Sequence, residues 1–339
     1  MQPIHTLHDF FVRSGAEVRL YHLGRRVEPC EMATLEALEA GTAPWPAPWQ
    51  GQARLGLVFR LGDMPDPLIW FLALPLDEQG RLDPASRDAF VQRLLETLGR
   101  NVANVGREDG QAVDNLMKDN PLAFTPSLPF QAMLHALASH NLGRAASSHL
   151  EPVEAYLSGQ QTLDWQALGL QGLADFAVRM GDEESRQLVR RLPDLPTAML
   201  TSLCYCLEHV AIDDRLAQAL RVRGEAAAEA GDVETLCACV RAASTSEAAG
   251  DWFDSLLADV HACGPDLLAA IAARGWPLLE DGQRLPCYLE RLASCEQADF
   301  MRVARDLALI PRLRLPVLMI LREAPADSSI GKRLVALTR

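Results

Sequence analysis

Five apolar pairs spaced i, i+3 recur along the second half of the chain: Leu173 with Phe176, Leu203 with Cys206, Leu236 with Cys239, Leu268 with Ile271, and Phe300 with Val303. Successive pairs are 30, 33, 32 and 32 residues apart, and two of them match closely, Leu203-Cys204-Tyr205-Cys206-Leu207 and Leu236-Cys237-Ala238-Cys239-Val240. The first pair lies in a helical segment that Asp164-Trp165 caps and that runs to Met180, and between the pairs run further helical stretches, such as Arg215–Arg223 and Trp252–His261. Two short helices per period cannot bury their apolar faces alone, so such units bury them against one another, as in an α-solenoid. The spacing therefore predicts an all-α array with units of about 32 residues. An irregular helical bundle is the other arrangement these segments allow, and the tetratricopeptide and ankyrin signatures are absent.

The first part of the chain has a different grammar. Thr6-Leu7-His8-Asp9 is an N-cap with an acid at the third helical position, and Gly15 is a stop. A strand follows over Ala16–Leu23, and Gly24 links it to Arg25–Pro29. Met32, Leu35 and Leu38 mark a second helix, closed by Gly41. Pro44-Trp45-Pro46-Ala47-Pro48-Trp49 excludes both helix and central strand. Strands near Ala53–Leu61 and Leu68–Leu74 flank the turn residues Gly62–Pro67, which predicts an antiparallel hairpin. Asp83-Pro84 then opens a helix bearing Phe90, Leu94, Leu95 and Leu98. The order αββαββα reads as an α+β module, a small antiparallel sheet covered by helices. Asn101–Ala112 reads as a polar surface loop, and the proline-bounded stretch Asn120–Pro129 as a module boundary with Phe124 pinning it to one side. The expected domains are residues 1–120, α+β, and 129–339, the helical array.

A formal net charge of −13 argues against a phosphate-backbone partner, and Arg19, Arg25 and Arg26 form only a small basic cluster. No segment offers the ~20 apolar residues that a spanning helix needs. The longest candidate, Leu315–Leu321 between Arg314 and Arg322, reads as a buried helix. His5, His8 and Asp9 interrupt the place of a secretory signal. Eight cysteines set mostly among Leu, Ala and Val behave as reduced thiols. A cytoplasmic protein is expected, with no nucleic-acid or membrane partner.

Candidate chemistry meets structural explanations at each place. Cys204 with Cys206, and Cys237 with Cys239, would point ~200° apart on a helix, so neither pair can face one zinc ion. His135 and His140 are five residues apart rather than the four of a helical metal pair. Asp63 with Asp66 suits a turn, and Asp213-Asp214 a helix cap. Phosphate-loop, dinucleotide and nucleophile-elbow motifs are absent, so no cofactor, metal or catalytic residue is expected. Trp45 and Trp49 suit a core lid or a peptide platform. The apolar strand Ile69–Leu76 ends in Asp77-Glu78-Gln79-Gly80, an acidic turn that could face Arg25 and Arg26 across the sheet edge.

Arg19-Leu20-Tyr21 with Gly24-Arg25-Arg26, the strand Ile69–Gly80, Asn120-Pro121 with Phe124, and Trp165 followed by Leu168-Gly169-Leu170-Gln171-Gly172-Leu173-Ala174-Asp175 resemble a bacterial family of unknown function found in pseudomonads and vibrios. The resemblance spans the whole chain and implies no activity or cofactor. The leading expectation is a non-enzymatic scaffold or adaptor that binds another protein. The alternative is an enzyme or small-ligand binder with a polar site between the modules. Candidate binding residues are Arg19, Tyr21, Arg25, Arg26, Asp77 and Glu78.

Overall fold

The computed structural model describes residues 4–61, 67–98, 117–118, 120–159, 164–261 and 263–337. The chain divides into two compact units, Met1–Phe130 with Leu309–Pro311, and Gln131–Ala308 with Arg312–Arg339.

In the first unit the Thr6 hydroxyl accepts from the Asp9 amide at 2.9 Å and starts helix α1, Leu7–Ser14. Gly15, at φ 66°, ends it in the left-handed conformation that glycine adopts without strain. Strands β1 (Glu17–His22) and β2 (Glu28–Cys30), helix α2 (Met32–Glu39), strands β3 (Gln52–Arg60) and β4 (Leu68–Pro75), and helix α3 (Pro84–Leu98) follow. The four strands form one antiparallel sheet in the order β2-β1-β3-β4.

Register explains the core. Leu20 lies opposite Leu57, and Leu57 opposite Trp70, so alternation puts Leu20, Leu55, Leu57, Phe59, Trp70 and Leu72 on one face. That face buries its side chains with Phe10 and Phe11 of α1, Leu35 and Leu38 of α2, and Phe90 and Leu94 of α3. Trp70 meets the rings of Phe10, Phe11, Phe59 and Phe90 at centroid distances of 6.5, 6.0, 4.7 and 5.6 Å. The buried Glu39 carboxylate accepts from the Leu7 and His8 amides at 2.8 and 2.9 Å and pairs with Arg87 at 2.9 Å, which ties the start of α1 to α2 and α3. Ala123 bridges Leu72 on the free edge of β4, and the Phe124 amide donates to the Phe71 carbonyl at 3.2 Å. Phe124 is thus pinned to the sheet, with the Arg54 guanidinium 5.2 Å from its ring. The expected turn at Gly62–Pro67 (Pro67 aside) and the loop Asn101–Ala112 lie outside the described residues.

Beyond Pro126 the described residues form thirteen α-helices. They are α4 (Leu128–Asn141), α5 (Leu150–Leu157), α6 (Leu170–Arg179), α7 (Asp182–Arg191), α8 (Thr197–Leu207), α9 (Asp214–Glu229), α10 (Val233–Ala243), α11 (Gly250–Ala258), α12 (Pro265–Arg274), α13 (Arg284–Ser294), α14 (Phe300–Ala308), α15 (Pro311–Glu323) and α16 (Ser329–Leu337). Aspartates cap several of them, Asp213 accepting from the Leu216 amide at 2.8 Å and Asp232 from the Thr235 amide at 3.1 Å.

The five recurrent residues fall on alternate helices. Leu173, Leu203, Leu236, Leu268 and Phe300 are buried on α6, α8, α10, α12 and α14, and each of these helices packs on the next of the series. Their place within the helix varies: the fourth residue of α6, α10 and α12, the seventh of α8 and the first of α14. Short 3-10 turns, Leu192–Asp194, Glu247–Ala249 and Trp276–Glu280, stand between some of the helices. The intervening helices pack likewise, α7 on α9 and α11 on α13. Side chains stitch helices 28 to 32 residues apart in the chain: Ser185 donates to Asp213 at 2.7 Å, Ser246 to Asp214 at 2.9 Å, and Arg284 to both oxygens of Asp254 at 2.7 and 2.9 Å.

Two expectations need correction. The segment from Asp164 to Met180 is not one helix. A 3-10 turn, Trp165–Ala167, capped by Asp164, is followed by extended Leu168 and Gly169 before α6 begins. Helix α6 comes so close to His149 that a Cβ at Gly172 would collide with the His149 carbonyl oxygen. Nor is Leu315–Leu321 a buried helix. Of α15 only Leu313 and Val317 are buried, while Leu315, Leu318 and Met319 are 65%, 45% and 47% exposed. The apolar residues of α15 make two stripes on opposite sides, and only one of them is covered. No helix among the described residues is long and apolar enough to cross a membrane.

Candidate functional site

The expected binding residues reach the sheet by three routes. Arg19 and Tyr21 lie on β1, on the face away from the aromatic core; Arg19 is exposed and Tyr21 fully buried. Arg25 and Arg26 form the turn into β2 and are buried. The Arg25 Nε donates to the Pro48 carbonyl at 2.8 Å, with its guanidinium 5.2 Å from the Trp49 ring, and Arg26 lies 3.7 Å from Glu28. Asp77 and Glu78 occupy an exposed turn after β4, where Asp77 Oδ1 accepts from the Gln79 and Arg81 amides at 2.7 and 2.9 Å. His22 opposite Leu55, and Leu55 opposite Leu72, places the end of β1, the start of β3 and the end of β4 at one end of the sheet. The Trp45 amide donates to the Gly80 carbonyl at 2.9 Å, which joins the proline–tryptophan segment to the acidic turn.

The aromatic and cationic groups there are covered, with Tyr21, Arg25 and Trp45 all fully buried. His22 packs edge-on against the buried Trp45 at 4.6 Å, and burial lowers its pKa to about 4. It is therefore neutral at physiological pH and does not exchange a proton there.

A denser polar cluster lies in the second unit. Glu208 follows the last turn of α8, Arg241 sits in the last turn of α10, and Arg274 ends α12. Glu208 Oε2 accepts from Arg241 Nε at 2.6 Å; Oε1 accepts from Arg241 Nη2 at 2.8 Å and from Arg274 Nε at 2.7 Å. The Glu208 side chain is 1% exposed and that of Arg274 6%. Burial alone would raise the carboxyl pKa, but Arg274 and then Arg241 overcome it and hold it at about 2. The Tyr205 ring supports the Arg241 guanidinium at 4.9 Å, and His209 Nε2 lies 3.6 Å from Glu208 Oε1.

Sequence reasoning missed this cluster, although a signal was present. Arg241 and Arg274 stand 33 and 66 residues from Glu208, close to one and two of the spacings seen between the apolar pairs in the sequence. The hydrogen-bonded thiol of Cys239 and then burial push the Cys204 thiol well up, and burial drives Cys206 to about 12. The paired cysteines serve the packing of α8 on α10, and no group of three or more His, Cys, Asp or Glu suited to a metal ion occurs among the described residues. His135, His140 and His149 are all exposed.

A cleft of about 310 Å³ opens among α5, α6 and α7. Leu157 and Phe176 give it an apolar floor, and Glu151, Glu154 and Glu184 an acidic rim. The Glu154 pKa is raised, first by burial and then by Glu184 and Glu151. Glu184 also accepts from the Gly181 amide at 3.0 Å and caps α7. An ammonium or guanidinium group placed there would relieve the repulsion at Glu154.

A model of the family described as "Protein of unknown function (DUF3549)" matches residues 2–338. No curated protein and no solved structure matches the chain.

Proposed function

The chain belongs to the DUF3549 family along nearly its whole length, and since that membership brings no activity with it, we propose that the protein is a non-enzymatic cytoplasmic scaffold that binds another protein along its helical array. The observation that carries this reading is the alternate stacking of α6, α8, α10, α12 and α14. Stacked helix pairs bury one face of each helix and leave long outer faces for a partner. The buried carboxylate of Glu208 is committed to Arg241 and Arg274. A net charge of −13 and the acidic rim of Glu151, Glu154 and Glu184 favour a partner that presents lysines or arginines. Arg19, Asp77 and Glu78 offer a second contact at the sheet, with Tyr21, Arg25 and Arg26 as its buried support.

The test is affinity purification of the tagged chain from its native cell, with cross-linking and mass spectrometry. A stoichiometric protein, cross-linked to the array and lost on Glu154→Lys, is the expected result. A chain that co-purifies instead with a small molecule that it converts, and with no stoichiometric protein, overturns the reading.

A further inference from the structure

The cleft among α5, α6 and α7, about 310 Å³, stands at the foot of the range that small-ligand sites occupy, ~300–1,000 Å³. It suits one side chain or a small cation. Helix α5 supplies Glu151 and Glu154, three residues apart and so neighbours on the helix surface, and α7 supplies Glu184. Leu157 of α5 and Phe176 of α6 make the floor. The cations of α7 are spent elsewhere: Arg186 and Arg190 pair with Glu183 at 3.0 and 3.6 Å, and Arg191 pairs with Asp194 at 4.0 Å. Glu183 precedes Glu184 but lies ~100° from it around the helix. Among the described residues no ion pair reaches Glu151, Glu154 or Glu184. Titration shows the contrast. Hydrogen bonds from Gln187 and Arg186 lower Glu183, whereas Glu154 is raised.

We propose that this cleft is a socket for one arginine side chain of a partner protein, its guanidinium among Glu151, Glu154 and Glu184 and its aliphatic stem over Leu157 and Phe176. Charge and floor together choose the occupant. Three carboxylates without a cation call for positive charge, and the apolar floor calls for a stem that a hydrated inorganic ion lacks. No group of three or more His, Cys, Asp or Glu among the described residues is placed to hold a metal ion, so the carboxylates are spread for a larger, organic cation. A guanidinium fits better than an ammonium. Its planar fork reaches carboxylates on two helices at once, and it is weakly hydrated and stacks on aromatic rings. The inference rests on the scaffold reading, since it names what the partner presents to the array.

The test is titration of the whole chain with a capped Gly-Ser-Arg-Ser-Gly peptide, read by the methyl NMR signals of Ala155 and Leu157, which line the cleft. A single side chain against a solvent-open rim binds with a dissociation constant on the order of 1 mM, so the titration runs to ~20 mM. Saturable shifts of both methyls are expected. Citrulline in place of the arginine keeps the shape without the charge and weakens binding at least five-fold. Glu154→Gln does the same while leaving the circular dichroism melt in place. Glu229→Gln, which removes an equal charge from an exposed position on α9, leaves binding unchanged. Methyls that do not move, or a citrulline peptide that binds as tightly, overturn the proposal. So does a loss on Glu229→Gln equal to that on Glu154→Gln, which would reduce the effect to general acidity. A lysine peptide that binds as tightly overturns the choice of a guanidinium, and spermidine that binds more tightly than the arginine peptide assigns the cleft to a free polyamine instead. The peptide needs no native partner, so its failure strikes this inference alone, and a failed affinity purification strikes the scaffold reading alone.

Discussion

Glu208→Gln is the sharpest single test of how the array holds together. The amide has the shape of the carboxylate but not its charge, and it leaves Arg274, whose side chain is 6% exposed, without the anion that faces it. The magnitude can be reached twice. The carboxyl pKa falls from 4.5 to about 2, and a difference of ~2.5 units is worth ~3 kcal/mol of linkage free energy. Removing one partner of a buried ion pair costs ~3–5 kcal/mol by direct comparison. The sign follows from the depressed value: the contribution is complete above pH ~4.5, where the unfolded carboxyl is also ionised, and is lost as pH falls through about 2. Urea unfolding at pH 7, followed by circular dichroism, should show Glu208→Gln destabilised by ~3 kcal/mol, with the gap from wild type narrowing between pH 4.5 and 2. Hydrogen exchange should report the loss in α8, α10 and α12 ahead of α4 or α16. A loss under ~1 kcal/mol at pH 7, or a gap that does not depend on pH, would mean that the two arginines do not neutralise Glu208 as argued.

Three further outcomes follow from local geometry. Gly224→Ala puts a Cβ 2.8 Å from the Trp252 ring and 3.2 Å from Cys239 Cβ, so it should destabilise the α9–α10–α11 packing by ~1–3 kcal/mol in thermal melts despite the better helix propensity of alanine. His22, held neutral by burial at about 4 against 6.5 when unfolded, should show imidazole NMR shifts unmoved from pH 7 to 5, and its contribution to stability declines as pH falls from 6.5 through about 4. Cys204, Cys206 and Cys239, all fully buried, should resist iodoacetamide at pH 8 and alkylate in urea; rapid native labelling of Cys206 would show that α8 and α10 separate.

Much of the architecture was legible because it rests on local chemistry. Thr6, Gly15 and Asp213 cap and stop helices by bonds to residues three or four away, and alternation in β3 and β4 follows from two residues per repeat of the pleat. The alternate helices were legible because each must bury an apolar face on its neighbour. What stayed hidden depends on distance in sequence or on which of two faces is covered. Leu315, Leu318 and Met319 are as apolar as Leu313 and Val317, and composition cannot say which stripe meets a neighbour. The break at Leu168-Gly169 depends on how closely α6 approaches His149, which no window of sequence around Gly172 contains. Of the candidate binding residues, Tyr21 and Arg25 are fully buried although both have polar tips. Arg25 is covered because a backbone carbonyl, Pro48, lies where its Nε can reach it.

The Glu208 cluster also bears on how the array should behave as a chain of units. Where each helix pair touches only its neighbours, stability is close to a sum of nearest-neighbour terms and ends can fray one unit at a time. The bond from Arg274 to Glu208 spans 66 residues and skips a pair, with Arg241 on the same carboxylate from the pair between. Opening α12 therefore costs more than its own apolar contacts, because it removes one of the two cations that balance a carboxylate on α8. Losing α10 as well would leave that carboxylate buried with neither arginine, the most costly arrangement of the three. These three helix pairs are thus coupled into one cooperative block, and the charges that look like a site in the middle of the array act as its lock.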